Sequence, residues 1–383
     1  MFGGGRKAAG LDVGSYQVKA VELRKAGSKL ELLHLGVADV FPGGDRGAAG
    51  NSDPFELKLG AIQRAMQQSG IKTRHTVSAV SGESIIVRYI QLPDMPEAEL
   101  KNALRWEAEE YIPFSIDEVN LDSVVLGPSS TQGKVDVLLV SARKDLVSEH
   151  VQLLRAADLI PIIVDVEGFA FLNCFEVNYQ PSAEECVCLL NIGAEVSSIN
   201  IYVGNTSRFS RDVGVAGNTL TQSVAQRCQI PFGKAEQLKV AVGAGDPMPD
   251  EDELGEDDAL ISTIRGTVER ITGSDLGDDS AEAAATKGVE NALQQLIGEV
   301  RRSIQFFEGQ SGGRTVQRVI AGGGTSRLRN LAPYFQAELD LPVEVFDPLR
   351  NITVSRDVDP GLLEQHREQL GTVIGLGLRK VLD

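Results

Sequence analysis

The sequence predicts an α/β fold in which one phosphate-binding unit occurs twice, and three stretches carry that prediction. The first is Leu11-Asp12-Val13-Gly14-Ser15-Tyr16-Gln17-Val18-Lys19 with its continuation Ala20-Val21-Glu22-Leu23. The second runs from Cys188 to Val203 around Asn191-Ile192-Gly193-Ala194. The third is Arg318 to Leu331, where an apolar strand meets Gly322-Gly323-Gly324 and then Thr325-Ser326-Arg327.

In the first stretch Leu11 and Val13 alternate with polar neighbours, Gly14-Ser15 makes a tight turn, and Val18, Ala20 and Leu23 resume the apolar pattern of a returning strand. A glycine turn brings bare backbone amides up to an anion with no side chain in the way. Asp12 can then hold a cation through water, while Ser15 and Lys19 offer a hydroxyl and a fixed charge to phosphate oxygens. Gly-Ser hairpins with a nearby Asp and Lys also occur as plain structure, so this stretch alone decides nothing. The second stretch repeats it as strand, glycine turn, hydroxyl pair Ser197-Ser198, strand. The third places its glycines at a strand-to-helix junction, where amides and the helix dipole both favour phosphate or ribose. Neither GxGxxG nor GxxxxGK[ST] fits any of the three.

Along the chain, residues 10 to about 80 read as two or three strands, a polar loop from Pro42 to Pro54, a helix from Pro54 to Ser69 and a strand at His75 to Ser81. From Glu83 to Leu159 the pattern is strand (Ser84–Leu92), helix (Pro96–Tyr111), two strands (Asn120–Leu126, Lys134–Ser141) and helix (Lys144–Ala157), a small inserted subdomain. Leu100, Leu104, Ala108 and Tyr111 share one helix face and must lie on a sheet. Trp106 falls off that stripe, so it either packs at the helix edge or faces a partner. Ile162 to Asn178 is strand then helix, with Asp165 and Glu167 at the helix start, where each can cap it. Asn218–Ala241 and Ala281–Glu308 read as helical. The run Asp246 to Asp258 carries eight acids and no base; with Gly273 to Ala285 it reads as a mobile loop rather than a calcium site.

Composition narrows the class. A chain of 383 residues suggests two or more domains. Its net charge of −17 argues against nucleic acid or anionic lipid as a partner. Cys174, Cys186, Cys188 and Cys228 lack CxxC spacing and read as small buried hydrophobes. Without a run of about 18 apolar residues, any membrane contact must go through another protein.

Two hairpins and one glycine-rich strand-helix turn in this order resemble the ATP cleft of the actin, Hsp70 and sugar kinase superfamily. The first hairpin keeps actin's Asp-x-Gly-Ser-x-x-Val-Lys spacing at Asp12, Gly14, Ser15, Val18 and Lys19. Tyr89-Ile90-Gln91-Leu92-Pro93-Asp94-Met95-Pro96-Glu97-Ala98-Glu99-Leu100 and Arg105-Trp106-Glu107-Ala108-Glu109-Glu110-Tyr111-Ile112-Pro113-Phe114 are similar to the PilM family, FtsA-like cytoplasmic proteins of type IV pilus assembly. The similarity continues through Val140–Asp145 and Pro161–Ala170 and spans about Gly10 to Leu382, apart from the acidic insertion.

The resemblance implies an actin-like ATPase fold of two RNase H-like domains with an FtsA-type insert. Subdomain 1A would be 1–82 and 160–185, the inserted 1C 83–159, 2A 186–216 and 315–383, and 2B 217–314 with the acidic loop at about 243–285. It implies ATP and Mg²⁺ held by Asp12, Gly14, Ser15, Tyr16, Lys19, Asn191, Gly193, Ala194, Ser197, Glu236, Lys239, Gly322, Gly323, Gly324, Thr325 and Arg327. Asp12 would hold the metal through water, and Asp12, Asp165 and Glu167 are the catalytic candidates. Glu236 and Lys239 would reach ribose and base, or form only an i, i+3 ion pair. Actin-type ATPases carry an aspartate where this chain has Asn191. An amide cannot act as a base, so slow or absent hydrolysis is expected while binding survives.

The partner implied is the N-terminal cytoplasmic tail of PilN, a bitopic inner-membrane protein, received beside the insert around Leu92, Pro93, Met95, Pro96, Trp106, Tyr111, Ile112, Pro113 and Phe114; the prolines can equally just punctuate turns. The pilus motor ATPases are further candidate partners, oligomerisation stays open, and the location would be cytoplasmic, at the inner membrane through partners. Three alternatives remain: a small-metabolite kinase, which needs a carboxylate base beyond Asp165 and Glu167; an FtsA-like scaffold, which needs a C-terminal amphipathic anchor; and a type II secretion relative of the same clamp.

Overall fold

The computed structural model describes residues 7–41, 52–129, 131–204, 206–245 and 278–382. Residues 42–51 of the polar loop expected from Pro42 to Pro54, and the acidic run 246–258, lie outside the described residues.

The first hairpin forms as expected. Strand β1 (Ala9–Val13) turns at Gly14 into β2 (Gln17–Ala26), which is followed by β3 (Lys29–Asp39). Helix α1 (Pro54–Ser69) has the bounds its ends dictate. The Asp53 carboxylate accepts from the Phe55 amide at 2.9 Å, Pro54 opens the helix, and Gly70 closes it in the left-handed region at φ 67°. Strands β4 (His75–Val80) and β8 (Ile160–Val166) complete a sheet of order β14-β3-β2-β1-β4-β8, whose outermost strand β14 (Ile352–Val354) comes from the far end of the chain.

The second sheet repeats this plan. Strands β9 (Cys186–Ile192), β10 (Ser197–Val203), β11 (Thr206–Val213), β12 (Arg318–Gly322) and β13 (Val343–Val345) lie in the order β11-β10-β9-β12-β13. Apart from β14, which pairs parallel to β3, both sheets have two antiparallel pairings followed by two parallel ones. The duplication read in the hairpins therefore extends to whole sheets. Strands β9 and β10 are buried at every residue, as strands covered on both faces must be, and all four cysteines lie free and buried.

Between β4 and β8 the chain builds a third sheet of order β5-β7-β6, from β5 (Ile85–Pro93), β6 (Val119–Pro128) and β7 (Lys134–Arg143). Helix α2 (Glu97–Tyr111) lies on it, burying Leu100, Leu104 and Ala108 against Ile90, Leu92, Val137 and Leu139 in a core of its own. Tyr111, expected on that stripe, is 40% exposed. Helix α3 (Lys144–Ala156) leads back to β8.

Helix α4 (Glu167–Tyr179) runs from the first sheet towards the second. The expected single helical stretch 218–241 is two helices, α5 (Gly217–Cys228) and α6 (Phe232–Val242), because Gln229 takes φ 55° and Pro231 cannot continue a helix. Helix α7 (Asp278–Gln310) begins ahead of the expected Ala281. Residues 278–285, assigned from sequence to the acidic loop, are its first turns, with Ala281 and Ala285 buried. The remaining helices are α8 (Leu331–Leu339), α9 (Pro360–His366) and α10 (Gly371–Leu378). Every residue of α10 is buried, and a Cβ at Gly375 would stand 1.7 Å from the Ala170 carbonyl, so only glycine lets α10 cross α4 this closely.

The lobes also meet through β11. The Gly82 amide donates to Asp212 Oδ2 at 2.8 Å, Tyr89 and Ser207 share a hydroxyl hydrogen bond of 2.6 Å, and Arg208 pairs with Asp136 at 3.3 Å.

A candidate nucleotide cleft between the lobes

The three glycine bends converge. The two hairpins close alike: the Gly14 amide donates to the Gln17 carbonyl at 3.1 Å and the Gly193 amide to the Val196 carbonyl at 3.0 Å. The third bend is tied to the second, since the Gly193 carbonyl accepts from Thr325 Oγ1 and from the Gly217 amide, both at 3.0 Å. Gly323 takes φ 90°, and a Cβ there would lie 2.5 Å from the Ile192 carbonyl oxygen. The bend is thus open to glycine alone.

Together they line a cavity of about 590 Å³. Asp12, Gly14, Ser15, Tyr16 and Lys19 form one side, Asn191, Gly193, Ala194, Glu236 and Lys239 another, and Gly323, Gly324, Thr325 and Arg327 a third, with Glu167 at the start of α4. Such a volume, with glycine bends on three sides, suits a drug-sized polar ligand.

Three expected site residues stand elsewhere. Asp165 turns to Arg379, with Oδ2 3.1 Å from Nε, and its Oδ1 accepts the Val166 amide. Ser197 is fully buried and donates to the Val215 carbonyl at 2.7 Å. Gly322 does not line the cavity; a Cβ there would strike the Phe171 ring at 2.7 Å, so it is a packing glycine. Thr325 lines the cleft but spends its hydroxyl on Gly193.

Sequence reasoning missed Gly217 and Asn218 at the start of α5, and His366, Gln369 and Thr372 around the last helix. The helix start after a strand was a usable signal for the first pair. None marked the others.

The charged groups pair within the cleft. Lys19 Nζ stands 3.1 Å from Asp12 Oδ2, both nearly buried. Lys239, buried rather than at the surface, donates to Glu236 Oε2 at 2.7 Å and to Thr221 Oγ1 at 3.1 Å. Asn191 Nδ2 donates to Glu167 Oε1 at 2.9 Å. Burial, then the Asp12 charge, pushes the Glu167 carboxyl up to about 7. Among the described residues no cluster of three or more His, Cys, Asp or Glu side chains could hold a metal. A Mg²⁺ bound in this cleft would have Asp12 as its nearby carboxylate and would take its ligands mostly from water and phosphate.

Around the insert, Leu92 and Ile112, expected to meet a partner, are sealed in the insert's own core, with Met95 and Phe114 packed against it. Pro93, Pro96 and Pro113 are exposed. Trp106 is 74% exposed, which removes the edge-packing reading. Among the described residues no helix is long and apolar enough to cross a membrane.

Comparison with known proteins places this architecture. A solved PilM-PilN type IV pilus biogenesis complex contains a chain 27% identical, with a TM-score of 0.75 over 98% of this chain and 99% of that one. The cell division protein FtsA of Buchnera aphidicola is 25% identical over 69% of this chain, which spans only 60% of that protein's length. FtsA of Pseudomonas aeruginosa is 19% identical over 90% of this chain and 84% of its own. The fold is that of the actin-like ATPases. The family profile described as type IV pilus assembly protein PilM matches residues 10–250 and 286–381, and a match over nearly all of a chain folded in this way makes it a member of the PilM family.

Proposed function

We propose that this chain is an actin-like nucleotide-binding scaffold of the type IV pilus inner-membrane platform, which binds ATP with Mg²⁺ between its lobes and receives the N-terminal tail of a PilN. The observation that carries the nucleotide reading is the convergence of three glycine bends, distant in sequence, on one cavity between the lobes. The bends at Gly14, Gly193 and Gly323, bare of side chains, would let phosphates come close to the backbone, Lys19 and Arg327 would neutralise them, and Glu236 and Lys239 would meet ribose or base. Magnesium, when bound, would spread the phosphate charge, with Asp12 orienting its water shell.

Hydrolysis is slow in this reading. Asn191 stands where a second carboxylate would be needed and donates from Nδ2 to Glu167 Oε1 and to Thr372 Oγ1, so it holds the glutamate side chain without accepting a proton. Glu167 is the one remaining base near the start of α4, and at neutral pH it is partly protonated. The metabolite-kinase reading loses Asp165, which is committed to Arg379.

For the partner, support comes from the similarity to the chain of the PilM-PilN complex. Trp106, Tyr111 and the exposed prolines are the contacts proposed for the tail, with Leu92 and Ile112 supporting them from beneath. Such docking would hold the protein on the cytoplasmic side of the inner membrane, where a nucleotide-biased lobe angle can be read by further components, the motor ATPases among them.

The test is a binding titration of the full chain with Mg-ATP, followed by phosphate release. Tight binding with turnover far below the ~1 per second common to enzymes supports the reading. Absence of nucleotide binding ends it.

A further inference from the structure

A second opening lies across the insert sheet from α2. Ile90, Leu92, Val137 and Leu139 turn towards α2, so the residues that alternate with them, Tyr89 and Gln91 on β5 and Asp136 on β7, turn the other way. There they border a groove of about 330 Å³ whose far wall is the second lobe, with Arg208 and Phe209 of β11 and Phe306 and Phe307 near the end of α7.

The groove has an apolar floor. The Phe209 and Phe306 rings stand 5.9 Å apart, Phe307 is buried, and the insert adds Leu126, the extra residue where the β6–β7 register slips. Phe306 nonetheless keeps 56% of its surface in solvent. A large ring left exposed at the mouth of an apolar groove fits an anchor site for a partner better than ordinary surface. Strands β5 and β11 are both edge strands of their sheets, and they approach each other here, joined by the Tyr89–Ser207 hydroxyl bond of 2.6 Å. Edge backbone beside an apolar groove suits an extended peptide.

Charge narrows the occupant further. The lining carries two guanidiniums, on Arg208 and Arg314, and one carboxylate, on Asp136, which makes it a positive spot on a chain of net charge −17. The carboxylate is already engaged: Asp136 accepts from Gln91 Nε2 at 3.2 Å and faces Arg208 Nη1 at 3.3 Å. Arg314 differs. Ser311 Oγ fixes its backbone, donating to the Arg314 carbonyl at 2.8 Å and accepting from its amide at 3.0 Å, yet the Arg314 guanidinium forms no ion pair among the described residues.

We infer that this groove is a docking site for an extended protein segment that carries an aromatic or large aliphatic side chain beside a carboxylate. The apolar side chain seats on Phe209 and Phe306, and the carboxylate pairs with Arg314 at the rim. This segment is distinct from the tail proposed for α2, since the two faces lie on opposite sides of the insert sheet. One wall belongs to the insert and the other to the second lobe, so a docked segment ties the two together.

A phage-displayed library of random peptides, selected against the immobilised full chain, supplies the probe. At least one recovered family carries an aromatic or aliphatic residue next to Asp or Glu. Its members, as synthetic peptides, lower amide hydrogen exchange in β5, β11 and the end of α7. They bind Phe306→Ser about tenfold more weakly or worse, and Arg314→Glu severalfold more weakly. Changing the peptide's Asp or Glu to Lys restores binding to Arg314→Glu while weakening it to wild type, an exchange that a merely structural arginine does not produce. Both side chains are exposed, so the variants keep the wild-type thermal midpoint. Peptides that bind both variants as tightly as wild type overturn the inference. So does an empty selection, the result if a second copy or another part of this chain already fills the groove. Should a variant not fold, the exchange footprint on wild type decides, and protection confined to α2 or to the nucleotide cleft refutes the groove. Loss of Mg-ATP binding bears on the nucleotide reading alone.

Discussion

Gly323 has no substitute. Its φ of 90° and the Ile192 carbonyl in front of it mean that Gly323→Ala brings both backbone strain and a collision. A loss of about 1–3 kcal/mol in stability and abolished nucleotide binding are expected, read by thermal unfolding with and without Mg-ATP. Glu167 makes a prediction of opposite sign. Its folded pKa of about 7 lies above the ordinary carboxyl value of 4.5. The folded state therefore holds the proton more tightly, and the side chain costs stability increasingly as pH rises from about 4.5 to 7, by at most ~3 kcal/mol. Glu167→Gln should flatten that loss, so the variant gains on wild type between pH 5 and pH 8 in urea unfolding. If its stability tracks wild type across that range, the carboxyl is not raised. At Asn191, an aspartate would exchange a hydrogen-bond donor for a second negative charge beside Glu167. Phosphate release should rise in Asn191→Asp if the missing carboxylate limits hydrolysis, and an unchanged rate would place the block elsewhere.

At the scale of elements, the α2 face of the insert has a core of its own, from Ile90 to Leu139, and the insert is expected to unfold as a separate unit. Leu104→Ala should cost about 2–4 kcal/mol and raise amide hydrogen exchange across β5, α2, β6 and β7 while the two main sheets keep their protection. Loss of protection throughout would show one core rather than two. These elements were legible because their signals are local. Asp53-Pro54 and Gly70 set α1 without help from the rest of the chain, and Leu100, Leu104 and Ala108 show helical spacing on their own. The gap between α5 and α6 was hidden, since Gln229 in the left-handed region carries no mark in the sequence and Pro231 alone also suits a helix start. Leu92 and Ile112 failed for a related reason: an apolar residue beside proline reads equally as core or as surface anchor, and only the sheet beneath α2 decides. His366 and Thr372 reach the cleft through tertiary packing that no nearby motif announces.

At the scale of the whole molecule, two like sheets face one cavity, and β11 joins the second of them to the first lobe and its insert through Asp212, Ser207 and Arg208. Tyr89→Phe removes one of these links. It should cost about 1 kcal/mol and raise hydrogen exchange in β5 and β11 without weakening nucleotide binding; reduced binding would instead make the link part of the cleft. Trp106, the single tryptophan, provides a reporter for the partner face. Its emission should shift to the blue on adding a PilN N-terminal peptide, and an unchanged spectrum would move the docking face away from α2. One more consequence concerns synthesis on the ribosome. Because β14 pairs with β3, and α10 packs against β1 and β2, the lobe built on β1 to β3 cannot finish until residues 352–378 have emerged. Until then its β3 edge stays bare and its apolar floor uncovered. The nascent chain must be shielded until then, and a pause before residues 352–378 should leave an aggregation-prone product rather than a stable first lobe.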